Sequence, residues 1–208
     1  MGKPVIPQKS IYRISLYGRC LERLRENGHD MVSSTALAAA AGVKPSQLRR
    51  DLAYLGTFGT RGRGYRVEAL KQAIHEGLGR AKLQPIIMVG AGNLGRALLR
   101  YDGFRKEGYE ILAAFDSAAE TLKGRDLPVA VHPSDELPEF IRTNKVQIAV
   151  LCVPANHAQE VTNTLVDAGI QGILNFSPVV LQVTPEVTVN NVDLALELEN
   201  VNYFIRKK

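Results

Sequence analysis

Three glycines, at positions 90, 92 and 95, stand in the stretch VGAGNLGRALLRY with the spacing G-x-G-x-x-G. Each suits a separate task in holding a dinucleotide. Gly90 makes the tight turn, Gly92 lets a pyrophosphate approach the backbone, and Gly95 lets the following helix pack on the preceding strand. Ala91, Asn93 and Leu94 complete the loop, whose backbone N–H groups open a helix and favour phosphate charge. Asp116 ends the apolar run EILAAFD, 21 residues after Gly95. A carboxylate there can accept hydrogen bonds from a ribose. The next residues, SAAE, bring no basic group, so a 2′-phosphate is repelled and NAD(H) is favoured over NADP(H). The bland alternative is a solvated acid at a strand end. Val153 and Pro154 close a second apolar run, QIAVLCVPA, where ligands of such sheets bind.

A second group of residues suits DNA. Lys44 precedes PSQLRRDLAYL, in which Ser46, Gln47, Arg50 and Tyr54 share one helical side, with Arg49 flanking. Arg and Gln can bond base edges in the major groove, and Ser46 at a helix N-terminus can hold a phosphate. The stretch GTFGTRGRGYRV then predicts a hairpin with Arg61 and Arg63 near its tip, suited to a narrow, electronegative minor groove. The alternative is a small helical interaction domain with a solvated arginine loop.

The elements that must carry these groups follow from periodicity. Ile14, Tyr17, Leu21 and Leu24 recur at helical spacing, and Asn27-Gly28 ends the run. Ser33-Ser34-Thr35 offers caps to a short alanine-rich helix, Gly42 a turn, and Pro45 the first position of a third helix with Leu48, Leu52 and Leu55 inward. Val67, Leu70, Ile74 and Leu78 predict another helix after the hairpin. From Pro85 the pattern becomes alternating strand and helix. PIIMVG reads as a buried parallel strand, and a helix with Leu94, Leu98 and Tyr101 on one face follows. LPVAVH, QIAVLCVPA, IQGILNF and VTVNNV are further strands, and the last helix runs from Asp193 with Leu194, Leu198, Val201 and Ile205 as its stripe. The fold class is thus α/β: an N-terminal winged helix-turn-helix domain over residues 1–82, a Rossmann-like doubly wound parallel sheet over 83–190, and a C-terminal helix over 191–208.

Charge divides the same way. Residues 1–80 carry 14 Lys and Arg against 6 Asp and Glu, a net +8, while residues 81–208 carry 12 against 15, a net −3. A basic front half suggests a polyanionic partner. No apolar run approaches the roughly 18 residues of a membrane span, and the N-terminus lacks a signal-peptide pattern. Cys20 and Cys152 stand far apart, which argues against a disulfide framework and for a reducing, cytoplasmic setting. No CxxC or HxxxH pair offers a metal site. None of the four histidines shows an acid partner that would mark a hydride-transfer base, although His157 opens the helix after the central strand, a position from which it can contact a nucleotide. A nucleotide pocket without catalytic apparatus, joined to a DNA reader, implies a sensor. The competing readings are an NAD(P)- or CoA-binding enzyme subunit with a helical appendage, and an adaptor that binds protein.

The sequence resembles the Rex family of bacterial redox-sensing transcriptional repressors over nearly its whole length. KPSQLRRDLAYLGTFGTRGRGY is similar to the family's recognition helix and wing, and VGAGNLGRAL, AAFD, VPA, GILNFSP and NVDLALELE match later blocks in order. The resemblance implies a homodimer on palindromic operator DNA when the NADH/NAD+ ratio is low, released by NADH. It implies that the last helix is exchanged between subunits, that Gly90–Gly95 form the phosphate loop, and that Asp116 holds the adenosine ribose. Tyr101 and Asp193 match positions of a redox-dependent contact between subunits. Leu194 stands where some members carry an aromatic residue.

Overall fold

The computed structural model describes residues 6–59, 63–79 and 82–206. The chain divides into two compact units, residues 1–82 and 83–208.

In the first unit, α1 (Gln8–Glu26), α2 (Ser34–Ala40), α3 (Pro45–Ala53) and α4 (Val67–Gly77) surround one apolar core. Between them run two short strands, β1 (Met31–Val32) after α1 and β2 (Tyr65–Arg66) before α4, paired antiparallel as Met31 with Arg66 and Val32 with Tyr65. The apolar stripe of α1 buries Ile14, Tyr17 and Leu21, and α3 buries Leu48 and Leu52. Ser33 Oγ accepts from the Ala36 N–H at 3.0 Å and starts α2, as its residue type predicts. Gly64 leads into β2 with φ +78°, where a Cβ would stand 2.4 Å from the Val32 carbonyl oxygen. Arg61 lies outside the described residues.

The second unit is a six-stranded parallel sheet. In chain order its elements are β3 (Gln84–Val89), α5 (Asn93–Leu99), α6 (Gly103–Lys106), β4 (Tyr109–Asp116), α7 (Ala119–Leu122), β5 (Val131–Pro133), α8 (Leu137–Asn144), β6 (Ile148–Leu151), α9 (Ala155–Ala168), β7 (Gly172–Asn175), β8 (Thr188–Asn191) and α10 (Leu194–Ile205). The spatial order is β5-β4-β3-β6-β7-β8, the doubly wound order of dinucleotide-binding sheets. Both faces are covered. Ile87, Val89, Phe115, Ala149 and Leu151 meet Leu137 and Ile141 of α8 and Ala158 and Leu165 of α9. Ile86, Met88, Ala114 and Val150 point to the other face with Leu99 of α5. This is why the central strands read as continuous apolar runs.

The helix after the glycine loop is shorter than its periodicity predicts. It stops at Leu99 and caps at Arg100, so Tyr101 follows the helix rather than continuing its apolar face. The last helix has Asp193 as its N-cap and no buried residue.

Candidate functional site

The chain leaves β3 toward β4 on one side and β6 toward β7 on the other. Loops at the carboxyl ends of these two adjacent strands therefore diverge and open a crevice. A cavity of about 880 Å³ occupies it, within the range of small-molecule sites. Gly90, Gly92, Asp116, Val153 and Pro154 line it, as does His157 at the start of α9. Phe115, Leu137, Pro138 and Val161 supply apolar walls.

The glycine loop is built by close approach. A Cβ on Gly95 would stand 1.9 Å from the Gly90 carbonyl oxygen, so only glycine lets α5 begin here. Gly90 itself has φ +94° and would place a Cβ 2.6 Å from the Cys152 carbonyl oxygen. Gly92 differs: nothing lies within 4 Å of its Cβ position. The space a side chain would fill there is open to a ligand. Ala91 is buried beneath the loop, while Asn93 and Leu94 are exposed on the first turn of α5, outside the cavity lining. Asn93 Oδ1 accepts from Arg96 Nη2 at 2.7 Å.

Asp116 Oδ2 accepts from the Ala91 N–H at 2.7 Å, and Oδ1 from the Ala118 N–H at 2.8 Å. The carboxylate thus ties the end of β4 to the glycine loop, a contact the sequence reading missed. Each oxygen keeps a further lone pair for a ligand hydroxyl. Asp135 and Glu160 also line the cavity, and the described lining contains no Lys or Arg. An extra phosphate on the ligand would meet three carboxylates and no cation. These two acids come from segments on either side of β6, and nothing in their spacing marked them.

Chemistry beyond binding has little support here. Burial pushes the Cys152 thiol up to about 12, which keeps it neutral beside Met88. His132 does have an acid partner, contrary to the sequence reading: its Nδ1 lies 2.8 Å from Glu136 Oε2. The pairing spans one turn, Ser134–Glu136 being a 3-10 segment that brings the acid back over β5. His132 does not line the cavity; its ring packs on Phe115 and Phe140.

In the first unit, Pro45 starts α3 with Lys44 as N-cap. Lys44, Ser46, Arg49 and Arg50 are exposed, Tyr54 is 37% exposed at the far end, and Arg63 is exposed two residues before β2. Arg49 Nη1 donates to Ser34 Oγ at 3.2 Å, which joins α3 to α2. Gln47 departs from the expectation of a side chain free toward solvent. It is half-buried, and its Nε2 donates to Asp51 Oδ1 at 3.0 Å.

Tyr101 is 58% exposed, with its ring edge-on to Phe104 at 5.4 Å. Asp193 Oδ1 accepts from the N–H groups of Ala195 and Leu196 at 2.9 and 3.3 Å. Within one chain, each is used locally.

Known proteins share both parts. The family model described as "Putative DNA-binding protein N-terminus" matches residues 5–53, and the "CoA binding domain" model matches residues 81–179. A redox-sensing transcriptional repressor Rex from Pelotomaculum thermopropionicum is 43% identical over 98% of this chain and 95% of its own length. That of Carboxydothermus hydrogenoformans is 44% identical over 97% of each. Among solved structures, RSP in complex with β-NAD+ and operator DNA superposes with a TM-score of 0.90 at 37% identity, covering 99% of this chain and 94% of that one. RSP with β-NADH gives 0.87 at 36% identity, covering 99% and 96%. These relatives are transcriptional repressors, which sets aside the reading as an enzyme subunit. With identity of this order running through both the basic helical unit and the glycine-loop sheet, the chain belongs to the Rex family of redox-sensing transcriptional repressors.

Proposed function

We propose that this chain represses transcription by binding palindromic operator DNA when the NADH/NAD+ ratio is low, and that NADH releases it. One observation carries the reading. A switch-point cavity with an open glycine approach and an acidic rim belongs to the same chain as a helix that exposes Lys44, Ser46, Arg49 and Arg50. The complexes of RSP with NADH, and with NAD+ and operator DNA, support both ligands.

The proposed DNA contacts are Lys44, Ser46, Gln47, Arg49, Arg50, Tyr54 and Arg63. Gly90–Gly95 would carry the pyrophosphate, Asp116 the adenosine ribose, and Val153 and Pro154 the opposite rim. The three lining carboxylates disfavour the 2′-phosphate of NADP(H) and equally the 3′-phosphate of CoA. The proposed functional division is residues 1–82 for DNA, 83–190 for nucleotide and 191–208 for assembly into a homodimer with exchanged last helices. Tyr101 and Asp193 would meet across that dimer in one redox state. The proposed setting is the cytoplasm; no helix among the described residues is long and apolar enough to cross a membrane.

NAD+ and NADH differ by a hydride, which removes the positive charge of the nicotinamide and its planarity. Only differential affinity for two dimer arrangements turns that into a signal. A symmetric reader needs its two recognition helices roughly 34–36 Å apart, so a modest change in arrangement suffices to release DNA. Operator affinity measured with neither nucleotide, with NAD+ and with NADH tests this. NADH should weaken binding, and saturating operator should weaken NADH binding by the same factor. Equal NADH affinity with and without operator would refute a redox sensor even if both ligands bind.

A further inference from the structure

Asp51 has no part in the function proposed above, yet it lies on α3 at 1% exposure. Arg13 grips it with two bonds, Nε to Oδ2 at 2.6 Å and Nη2 to Oδ1 at 2.7 Å. The Tyr17 hydroxyl donates to Oδ2 at 2.8 Å, and Gln47 Nε2 to Oδ1 at 3.0 Å. Ser10 Oγ accepts from Arg13 Nη2 at 3.0 Å and itself bonds the Asp51 carboxylate. Three of these four partners belong to α1; the fourth, Gln47, sits one turn before Asp51 on α3 itself. A well-packed apolar pair would join two helices at least as stably as a buried ion pair. The particular property of a bidentate guanidinium–carboxylate pair is geometric: it fits in one register.

What is registered is the amide of Gln47. An ionised carboxylate can only accept hydrogen bonds. The nitrogen of Gln47 must therefore face Asp51, which turns Oε1 away from it. A free glutamine amide could turn over and offer either edge; this one cannot.

We propose that Asp51 is a positioning residue for operator readout, which locks α3 to α1 and holds the Gln47 amide so that Oε1 accepts from a base amino group in the major groove. Adenine N6 and cytosine N4 are the two such donors. The inference rests on the DNA-binding reading above.

The test uses the full-length protein at fixed salt, an operator duplex, its single-base-pair variants and an unrelated duplex. Gln47→Ala should lower operator affinity about tenfold and flatten preference at one base pair per half-site, with the unrelated duplex bound as before. The base preferred there by the wild type identifies adenine or cytosine. Asp51→Asn supplies a donor as well as an acceptor and so frees the Gln47 amide to turn over. It should flatten the same position, and the double variant should be no weaker than the weaker single one. A folded Asp51→Asn protein with wild-type base preference overturns the proposal, and so do additive effects or an equal loss at every position. The unsubstituted protein gives a test that needs no variant. In its amide spectrum one Gln47 Nε2 proton should be shifted and protected from exchange, and a Gln47 amide that exchanges like a free glutamine overturns the proposal whether or not Asp51→Asn folds. If the wild type itself fails to distinguish operator from unrelated DNA, the DNA-binding reading falls. Failure of the Asp51 proposal alone leaves that selectivity intact.

Discussion

The two units are held together by different means. Among the described residues, the helical unit buries a charged group, Asp51, in the contact between α1 and α3, whereas the buried polar residues of the sheet unit are the neutral Thr162, Asn175 and Ser177. A short helix packed on another by apolar side chains can slide or roll at little cost, so its outward face needs an added directional contact. A parallel sheet obtains direction from its own ladder of backbone bonds, and apolar side chains are enough to cover it. The sites differ accordingly. The helical unit presents side chains, and the sheet unit makes its site by leaving side chains out, at Gly90, Gly92 and Gly95. The last helix, α10, shares in neither core: Leu194, Leu198, Val201 and Ile205 are 62%, 69%, 56% and 66% exposed.

Deleting residues 193–208 should have the largest effect. If a second copy covers α10, the truncated chain should sediment as a monomer or aggregate and lose cooperative operator binding. A well-folded dimer after the deletion would remove α10 from the interface.

The glycines sharpen the contrast next. Gly92→Val should weaken NADH binding roughly 100-fold or more, about 2.7 kcal/mol, with little change in melting temperature, because its Cβ direction is empty of protein. Gly95→Val should lose binding and stability together, since its Cβ meets the Gly90 carbonyl. Equal loss of melting temperature in both would mean that the open approach at Gly92 has been misread.

Single polar contacts should matter less. Arg50→Ala should cost about 1–3 kcal/mol of operator binding if it reads a base, and Arg63→Ala should lower the salt slope by about one, both without changing NADH affinity. Asp116→Ala should weaken NADH by about 1.5–3 kcal/mol, the range for hydrogen bonds to a charged group. It should also narrow the preference over NADPH. A wild type that prefers NADPH would refute the role given to Asp116.

A last effect separates the units by pH. Burial by itself would raise the Asp51 carboxyl, but the bonds from Arg13, Tyr17, Ser10 and Gln47 prevail and hold it at about 2. Folded protein therefore binds fewer protons than unfolded chain between the ordinary Asp value of about 3.9 and about 2. The Asp51 contribution is complete above that window and is lost as pH falls through it, about 2–3 kcal/mol in all. Acid unfolding followed by tyrosine fluorescence should show this step, and Asp51→Asn should abolish it.

Local pattern carried much of this molecule. Glycine spacing, strand-end Asp116, the cap at Ser33 and the apolar stripes are each written within a few residues, and each marks its element without reference to the rest of the chain. The end of α5 at Leu99 was not legible, because Leu94, Leu98 and Tyr101 keep helical spacing after the hydrogen-bonded turns have stopped. The grip of Arg13 on Asp51 joins residues 38 apart, and the bond from Ala91 to Asp116 joins residues 25 apart. Asp135 and Glu160 enter the cavity only because α8 and α9 pack on the same face of the sheet. Periodicity decides which side of an element is buried, since that depends only on 3.6 or 2 residues per repeat. Which polar groups then meet depends on how the elements are docked, and that is set by packing of the whole core.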